Sequence, residues 1–172
     1  MKLVSASEAA RLIGNGVSVV VSGSGGGHAV PETVIAAVGE RFASEGAPRD
    51  LCLIHVVGIG DRISKGAANF AHPGMVRRVI TSALIDSPVF IDMALADKIE
   101  AWTLPQGVLS QIMREIAAGR PGVITKTGLH TFVDPRHEGG RQSPCSREDL
   151  VEVVEGGGRE WLFYKPFHID VA

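Results

Sequence analysis

The sequence predicts an α/β fold: an open, mostly parallel sheet flanked by helices, with a hairpin near its C-terminal end. Three observations lead there. Residues 17–21 and 51–57 are short, β-branched, apolar runs, which read as strands buried on both faces. Each is followed by a cluster of glycines and then by residues at helical spacing. Strands that alternate with helices pair in parallel through right-handed crossovers. The composition, 45% hydrophobic and 21% charged, supports a packed core rather than a disordered chain.

The elements come in order. Ser5-Ala6-Ser7-Glu8 is a capping box, in which the Ser5 hydroxyl accepts from the Glu8 amide while the Glu8 carboxylate reaches back. Ala9, Ala10, Leu12 and Ile13 continue that helix until Gly14 ends it. Asn15-Gly16 is a turn into the first strand. Pro31 opens a second helix whose stripe is Val34, Ile35, Val38 and Phe42 and which ends near Gly46. After the second strand come Gly58-Ile59-Gly60-Asp61-Arg62, a short helical turn and a third strand at residues 76–80. A helix over 88–96, a strand over 99–102 and a helix over 108–118 come next, the last with Leu109, Ile112, Met113 and Ile116 inward. Val123-Ile124 is a short strand and residues 126–146 are loop. Residues 151–154 and 161–164 flank Gly156-Gly157-Gly158 as a hairpin. His168-Ile169-Asp170-Val171-Ala172 reads as the beginning of a further strand, which suggests a truncated chain or a sheet completed by another subunit.

Several function classes are excluded on composition. The length of 172 residues suits one domain, here taken as residues 1–172. No apolar run approaches the roughly 20 residues that cross a bilayer, and the N-terminus does not read as a signal peptide. A net charge of −2 gives no general reason to bind nucleic acid. Cys52 and Cys145, far apart, read as reduced thiols of a cytoplasmic protein. The six histidines lack metal-ligand spacing, so no metal is expected.

Glycine stands out, with 21 residues against about 12 at the usual 7%. Gly23-Ser24-Gly25-Gly26-Gly27 lies between a strand and a helix, where backbone can approach an anionic ligand closely. The dinucleotide pattern G-x-G-x-x-G fails there, because His28 or Val30 occupies its last position, and no Walker lysine is present. A nicotinamide oxidoreductase falls with it. Arg62 is free to pair with Asp61 or to meet a phosphate. Leu104-Pro105-Gln106-Gly107 holds an amide, donor and acceptor both, at a strand-to-helix junction. Asp134, Arg136, His137 and Glu138 could carry acid–base chemistry, but local ion pairs on a surface loop are the plainer reading. His55, inside an apolar strand, reads as a satisfied core or edge residue.

Taken together, these segments resemble the N-terminal, α-type half of the family I coenzyme A transferases, nearest the fused acetate/propionate branch. The resemblance rests on the loop at residues 23–27, on Gly58-Ile59-Gly60-Asp61-Arg62, on residues 98–107 and on Ala118-Gly119-Arg120-Pro121-Gly122. Its most specific part is Thr131-Phe132-Val133-Asp134-Pro135-Arg136 followed by Glu138-Gly139-Gly140, with Tyr164-Lys165 beyond. It implies a cytoplasmic enzyme that exchanges coenzyme A between an acyl-CoA and a small carboxylic acid through a glutamyl-CoA intermediate, with coenzyme A as substrate and no resident cofactor.

The resemblance also implies that the nucleophilic glutamate lies in a C-terminal, β-type lobe, so this chain supplies no catalytic residue and alone is inactive. Glu155-Gly156-Gly157 has the look of that glutamate's surroundings but aligns with the hairpin instead. What the chain offers is the facing wall: Gly23, Gly25, Gly26 and Gly27 at the cleft, and Gln106 with Gly107 toward the acyl or carboxylate group. A homo- or hetero-oligomer is expected, with no nucleic-acid or membrane partner. Two departures bear on activity. Ser82-Ala83-Leu84-Ile85 stands where the family often carries Gly-His-Trp-Gly, and His130 stands where a glycine is usual. The alternative reading is a degenerate, non-catalytic module that binds acyl-CoA or an anion.

Overall fold

The alternation of strand and helix holds through the first four strands and then gives way to a second, antiparallel sheet. A computed structural model describes residues 3–23 and 29–172. Its elements are α1 (Ala6–Arg11), β1 (Ser18–Val20), α2 (Glu32–Glu45), β2 (Leu51–His55), β3 (Val76–Thr81), α3 (Pro88–Leu95), β4 (Glu100–Thr103), α4 (Gln106–Ala117), β5 (Val123–Thr125), β6 (Val151–Gly156) and β7 (Arg159–Tyr164). The capping box at Ser5 is present, with the Glu8 amide donating to Ser5 Oγ at 3.2 Å and the Ser5 amide to Glu8 Oε2 at 2.8 Å. α1 ends at Arg11, short of Gly14. α2 ends as expected on Gly46, whose φ of 68° closes the helix without a Cβ penalty.

β1 to β4 lie side by side in sequence order, all parallel. The side chains of β2 are all buried, and they alternate between two cores. Leu51 and Leu53 face Ala10, Ile35, Val38, Phe90 and Ala94, which come from the helices α1 to α3. Cys52 and Ile54 face the opposite side with Ile80 and Trp102, under Val108, Leu109 and Ile112 of α4. A strand covered on both faces has no solvent side to make polar, which explains the unbroken apolar run. Each of these leucines and isoleucines contributes about 1.5–3 kcal/mol by leaving water. Cys52 and Cys145 are both free thiols.

The strand at 123–125 and the hairpin do not extend the parallel sheet. They form a separate antiparallel sheet in the order β5-β7-β6. Its inner residues Val123, Val151, Leu162 and Tyr164 close the second core over Trp102. The residues read as an incipient strand contribute one parallel bridge, Val171 to Val19. There the Val20 amide donates to the Val171 carbonyl at 2.8 Å, and the Asp170 carboxylate accepts from the Ser18 amide at 2.8 Å. Among the described residues no helix is long and apolar enough to cross a membrane.

Tyr164, the single tyrosine, is fully buried in the second core and donates to the Thr127 carbonyl at 2.7 Å. Burial, with the Asp134 carboxylate adding to it, pushes its phenol up to about 12. An unfolded tyrosine ionises near 10. The stabilisation is therefore complete below pH 10 and drains as the pH climbs through the folded value. We expect the tyrosinate absorbance of the folded chain to rise only near pH 12, and thermal stability to fall from about pH 10 upward. Tyr164→Phe should cost about 1 kcal/mol at neutral pH, or about 2–4 °C in melting temperature, and should flatten the alkaline limb. A phenol that titrates near pH 10 in the folded chain would contradict this burial.

Candidate functional site

In an open parallel sheet, ligands collect outside the carboxyl ends of the strands. Those ends are level here. The Val21 amide donates to the Ile54 carbonyl at 2.9 Å, joining the ends of β1 and β2, and the Leu104 amide donates to the Thr81 carbonyl at 2.9 Å, joining β3 and β4. Four segments leave this edge: Ser22-Gly23, residues 56–62, residues 82–86, and Leu104-Pro105-Gln106-Gly107.

Gly23 is half-buried just beyond β1. Gly25, Gly26 and Gly27 lie outside the described residues. Gln106 is the first residue of α4, after Pro105 with φ −58° and ψ 131°, and it is exposed. Proline holds the entry to the helix while the amide stays accessible. A side chain added at Gly107 would meet nothing within 4 Å, so packing does not demand glycine there. What the small residue leaves is open space beside Gln106.

The loop at 58–66 is ordered by its own chemistry. The Asp61 carboxylate accepts from the Ile63, Ser64 and Lys65 amides at 2.9, 2.8 and 2.9 Å, and these donors hold it well below the usual carboxylate range. Arg62 does not pair with Asp61; it binds Asp86, 24 residues away in sequence. Asp86 can lie there because position 58 is glycine: a Cβ would stand 2.3 Å from Asp86 Oδ2. Gly60, at φ 95°, likewise passes so close that a Cβ would stand 2.0 Å from the Lys65 carbonyl. No local signal pointed to Asp86, because the partner comes from the next crossover.

The loop at 131–140 resolves toward structure rather than acid–base work, but not as a surface ion pair. Asp134 is fully buried. Its carboxylate accepts from the His130 amide at 2.9 Å, the Arg136 amide at 3.1 Å, Arg136 Nε at 2.9 Å and Arg136 Nη2 at 2.7 Å. The Arg136 guanidinium, first among these, holds the carboxyl well below its ordinary value. A carboxylate so fully engaged has no lone pair free for a substrate proton. His130 has φ 62°, the left-handed region, and its amide is one of those donors. Glu155 is an exposed residue of β6 facing Glu160 on β7, in the antiparallel sheet. The Ser82-Ala83-Leu84-Ile85 segment sits directly at the carboxyl end of β3, with Leu84 buried and Ile85 exposed.

His55, at the end of β2, is fully buried. Its Nδ1 lies 2.7 Å from the Val57 carbonyl and 3.0 Å from Thr81 Oγ1. A carbonyl can only accept, so the proton is assigned to Nδ1. Nε2 is buried without a partner, so the residue is half satisfied rather than fully satisfied as its sequence context suggested.

A family model described as coenzyme A transferase matches residues 3–172. A caffeate CoA-transferase from Acetobacterium woodii is 42% identical over 172 residues, covering 99% of this chain and 32% of that protein. The acetate CoA-transferase YdiF of Escherichia coli O157:H7 is 38% identical over 170 residues, again covering 99% of this chain and 32% of the relative. The crystal structure of that acyl-CoA transferase as a thioester complex with CoA superposes with a TM-score of 0.94 at 38% identity, over 97% of this chain and 33% of the other. The chain thus spans about a third of the length of the relatives it matches.

Burial lowers the pKa of His55 against the pull of the Val57 carbonyl, so the ring is neutral in the fold. The unfolded ring takes up a proton near pH 6.5, so its contribution to stability is full above that pH and lost as pH falls below it. We expect the ring resonances of His55 to show no titration at the ordinary value near 6.5 and to shift only at lower pH. A titration of that ring near 6.5 in the folded chain would mean that Nε2 is open to water.

Proposed function

The chain belongs to the coenzyme A transferase family, and we propose that residues 1–172 form the α-type lobe of an enzyme that exchanges coenzyme A between an acyl-CoA and a short-chain carboxylic acid. The observation that carries this reading is the match along essentially the whole chain to transferases three times its length. On this reading the rest of the machinery, including the nucleophilic glutamate, sits on a C-terminal lobe, and the assembled oligomer works in the cytoplasm. Coenzyme A enters as substrate and no resident cofactor takes part.

The chemistry divides one hard exchange into covalent steps. The glutamate carboxylate attacks the thioester carbonyl, and coenzyme A leaves as thiolate to give an acyl-glutamyl anhydride. The thiolate then attacks the glutamyl carbonyl, releasing the first acid as carboxylate and leaving a glutamyl-CoA thioester. The incoming carboxylate attacks that thioester, and the thiolate returns to the new acyl group through a second anhydride. Each step builds negative charge on an oxygen. The Gln106 amide, exposed at the level carboxyl edge, is suited to donate to that oxygen or to hold the carboxylate. Gly107 leaves room for the substrate to approach it, and the family resemblance assigns the glycine-rich run that begins at Gly23 to the same substrate.

Two measurements test the proposal. Incubating the protein that carries both lobes with propionyl-CoA, followed by peptide mass spectrometry, should find coenzyme A joined to a glutamate outside residues 1–172, while the 172-residue chain alone turns nothing over. Turnover by this chain by itself would sink the two-lobe assignment and return Glu155 to consideration. In the assembled enzyme Gln106→Ala should lower kcat roughly 10²-fold, about 2.7 kcal/mol, with an unchanged melting temperature, because the side chain is exposed. Gln106→Glu should do worse, since a second negative charge repels the acid. Wild-type kinetics in Gln106→Ala would leave the glutamine as a helix-start residue only.

A further inference from the structure

An open cleft of about 380 Å³ runs beside the carboxyl ends of β3 and β4. Its lining combines the Ser82-Ala83-Leu84-Ile85 segment with Ile91 and Leu95 of α3 on one side and Thr103 and Gln142 on the other. Three features single it out. The hydrogen bond between the Leu104 amide and the Thr81 carbonyl puts its first residue, Ser82, one position from the strand contact and Gln106 two positions from it. Ile85 and Leu95 are 70% and 76% exposed, large apolar side chains left in water at the cleft mouth. No lining residue carries a charge.

We infer that this cleft receives the hydrocarbon tail of the carboxylic acid, so that the Ser82–Ile85 segment sets which acids are used. The role in turnover rests on the transfer reading above; the binding of an apolar tail does not. A cleft without charge cannot fix a carboxylate, so the acid's head must lie outside it, toward the Gln106 amide. An apolar wall favours each methylene laid against it, whereas a two-carbon acid cannot reach. The polar end is fixed, because Gln142 Nε2 donates to the Arg141 carbonyl at 3.0 Å. Within the short-chain class the enzyme would therefore favour the longer or branched apolar acids over acetate.

The test uses hexanoate and acetate as probes. Amide resonances of the 172-residue chain are followed during titration with each. Hexanoate should shift Ala83, Ile85, Ile91 and Leu95 saturably, and acetate should not. Ala83→Trp, which fills the cleft, and Leu95→Asp, which charges its mouth at an exposed position, should both remove the shifts. In the two-lobe enzyme the ratio of kcat/KM for hexanoate over acetate should fall at least tenfold in either variant. Absence of shifts, shifts that survive both variants, or a chain-length profile unaltered by them would overturn the subsite. So would protection of these amides by the second lobe, which would make the cleft a protein interface. Hexanoate binding in the cleft with no transfer to any acid would refute the transfer reading and leave the subsite standing. Transfer without hexanoate binding would do the reverse.

Discussion

A central strand with no face left for water governs this fold. All five residues of β2 are buried. Every second one therefore demands a different cover, and a chain of this length must supply two. The crossovers from β1 to β4 run through neighbouring strands in order, so α1, α2 and α3 collect over one face. The opposite face is left to the chain beyond β4. α4 supplies part of the cover and the antiparallel sheet supplies the rest. The carboxyl edge escapes both layers, because crossovers leave from it rather than lie across it. The open edge on which the proposed site lies is thus a by-product of covering β2 twice.

The second layer needs polar anchoring, because much of it is loop. Residues 140–146 run along the outer edge of β4 and take up the hydrogen bonds that an edge strand would otherwise leave open. The Thr103 amide donates to the Gly140 carbonyl, the Gln142 amide to the Ala101 carbonyl, and Ser146 Oγ bridges the Ala101 amide and carbonyl. The loop holds its shape around the buried Asp134 carboxylate, and Arg136 extends from Asp134 to Glu160 on β7. On the inner side of the same strand Trp102 is fully buried, with the Arg78 guanidinium 4.9 Å from its ring centroid and bonded to Glu100 Oε2 at 2.7 Å. Loop, strand and hairpin are consequently one mechanical unit, and the Leu104-Pro105-Gln106-Gly107 junction emerges from it.

What could be read from the sequence was whatever local physics decides. Ser5 with Glu8, Gly46 at the end of α2 and Pro88 at the first position of α3 act over one helical turn and fell where the residues placed them. The parallel strands were legible because burial on both faces imposes a composition. The partition of the sheets was not. Val123 and Ile124 have the same apolar character whether they pair with β4 or with β7, and only the position of the hairpin decides. The site divided in the same way. The exposed junction at Gln106 was legible from proline and glycine. The pairing of Arg62 with Asp86 was not, because the choice between Asp61 and Asp86 is settled by three backbone amides that occupy Asp61 first. Nor was the burial of Asp134, since a carboxylate two residues before an arginine looks the same on a surface as in a core.

The two departures from the family pattern are therefore different in kind. His130 occupies a backbone conformation at φ 62° that favours glycine, and a residue other than glycine pays about 1–2 kcal/mol for it. Histidine is among the residues that tolerate this region. Its amide donates to the buried Asp134 carboxylate, so the conformation is held by a charge-assisted hydrogen bond within the loop's own network. The substitution is absorbed in the backbone and leaves Asp134 and Arg136 as they are. Ser82-Ala83-Leu84-Ile85 is not absorbed in this way. Only Leu84 turns into the core, while Ile85 and its neighbours line open space next to the strand ends. A change in buried packing can be repaired by neighbouring side chains. A change in the wall of a cleft has no neighbour to repair it and is felt by whatever enters. Ser82 to Ile85, rather than His130, is where this sequence departs from the family pattern on an open surface while keeping the fold.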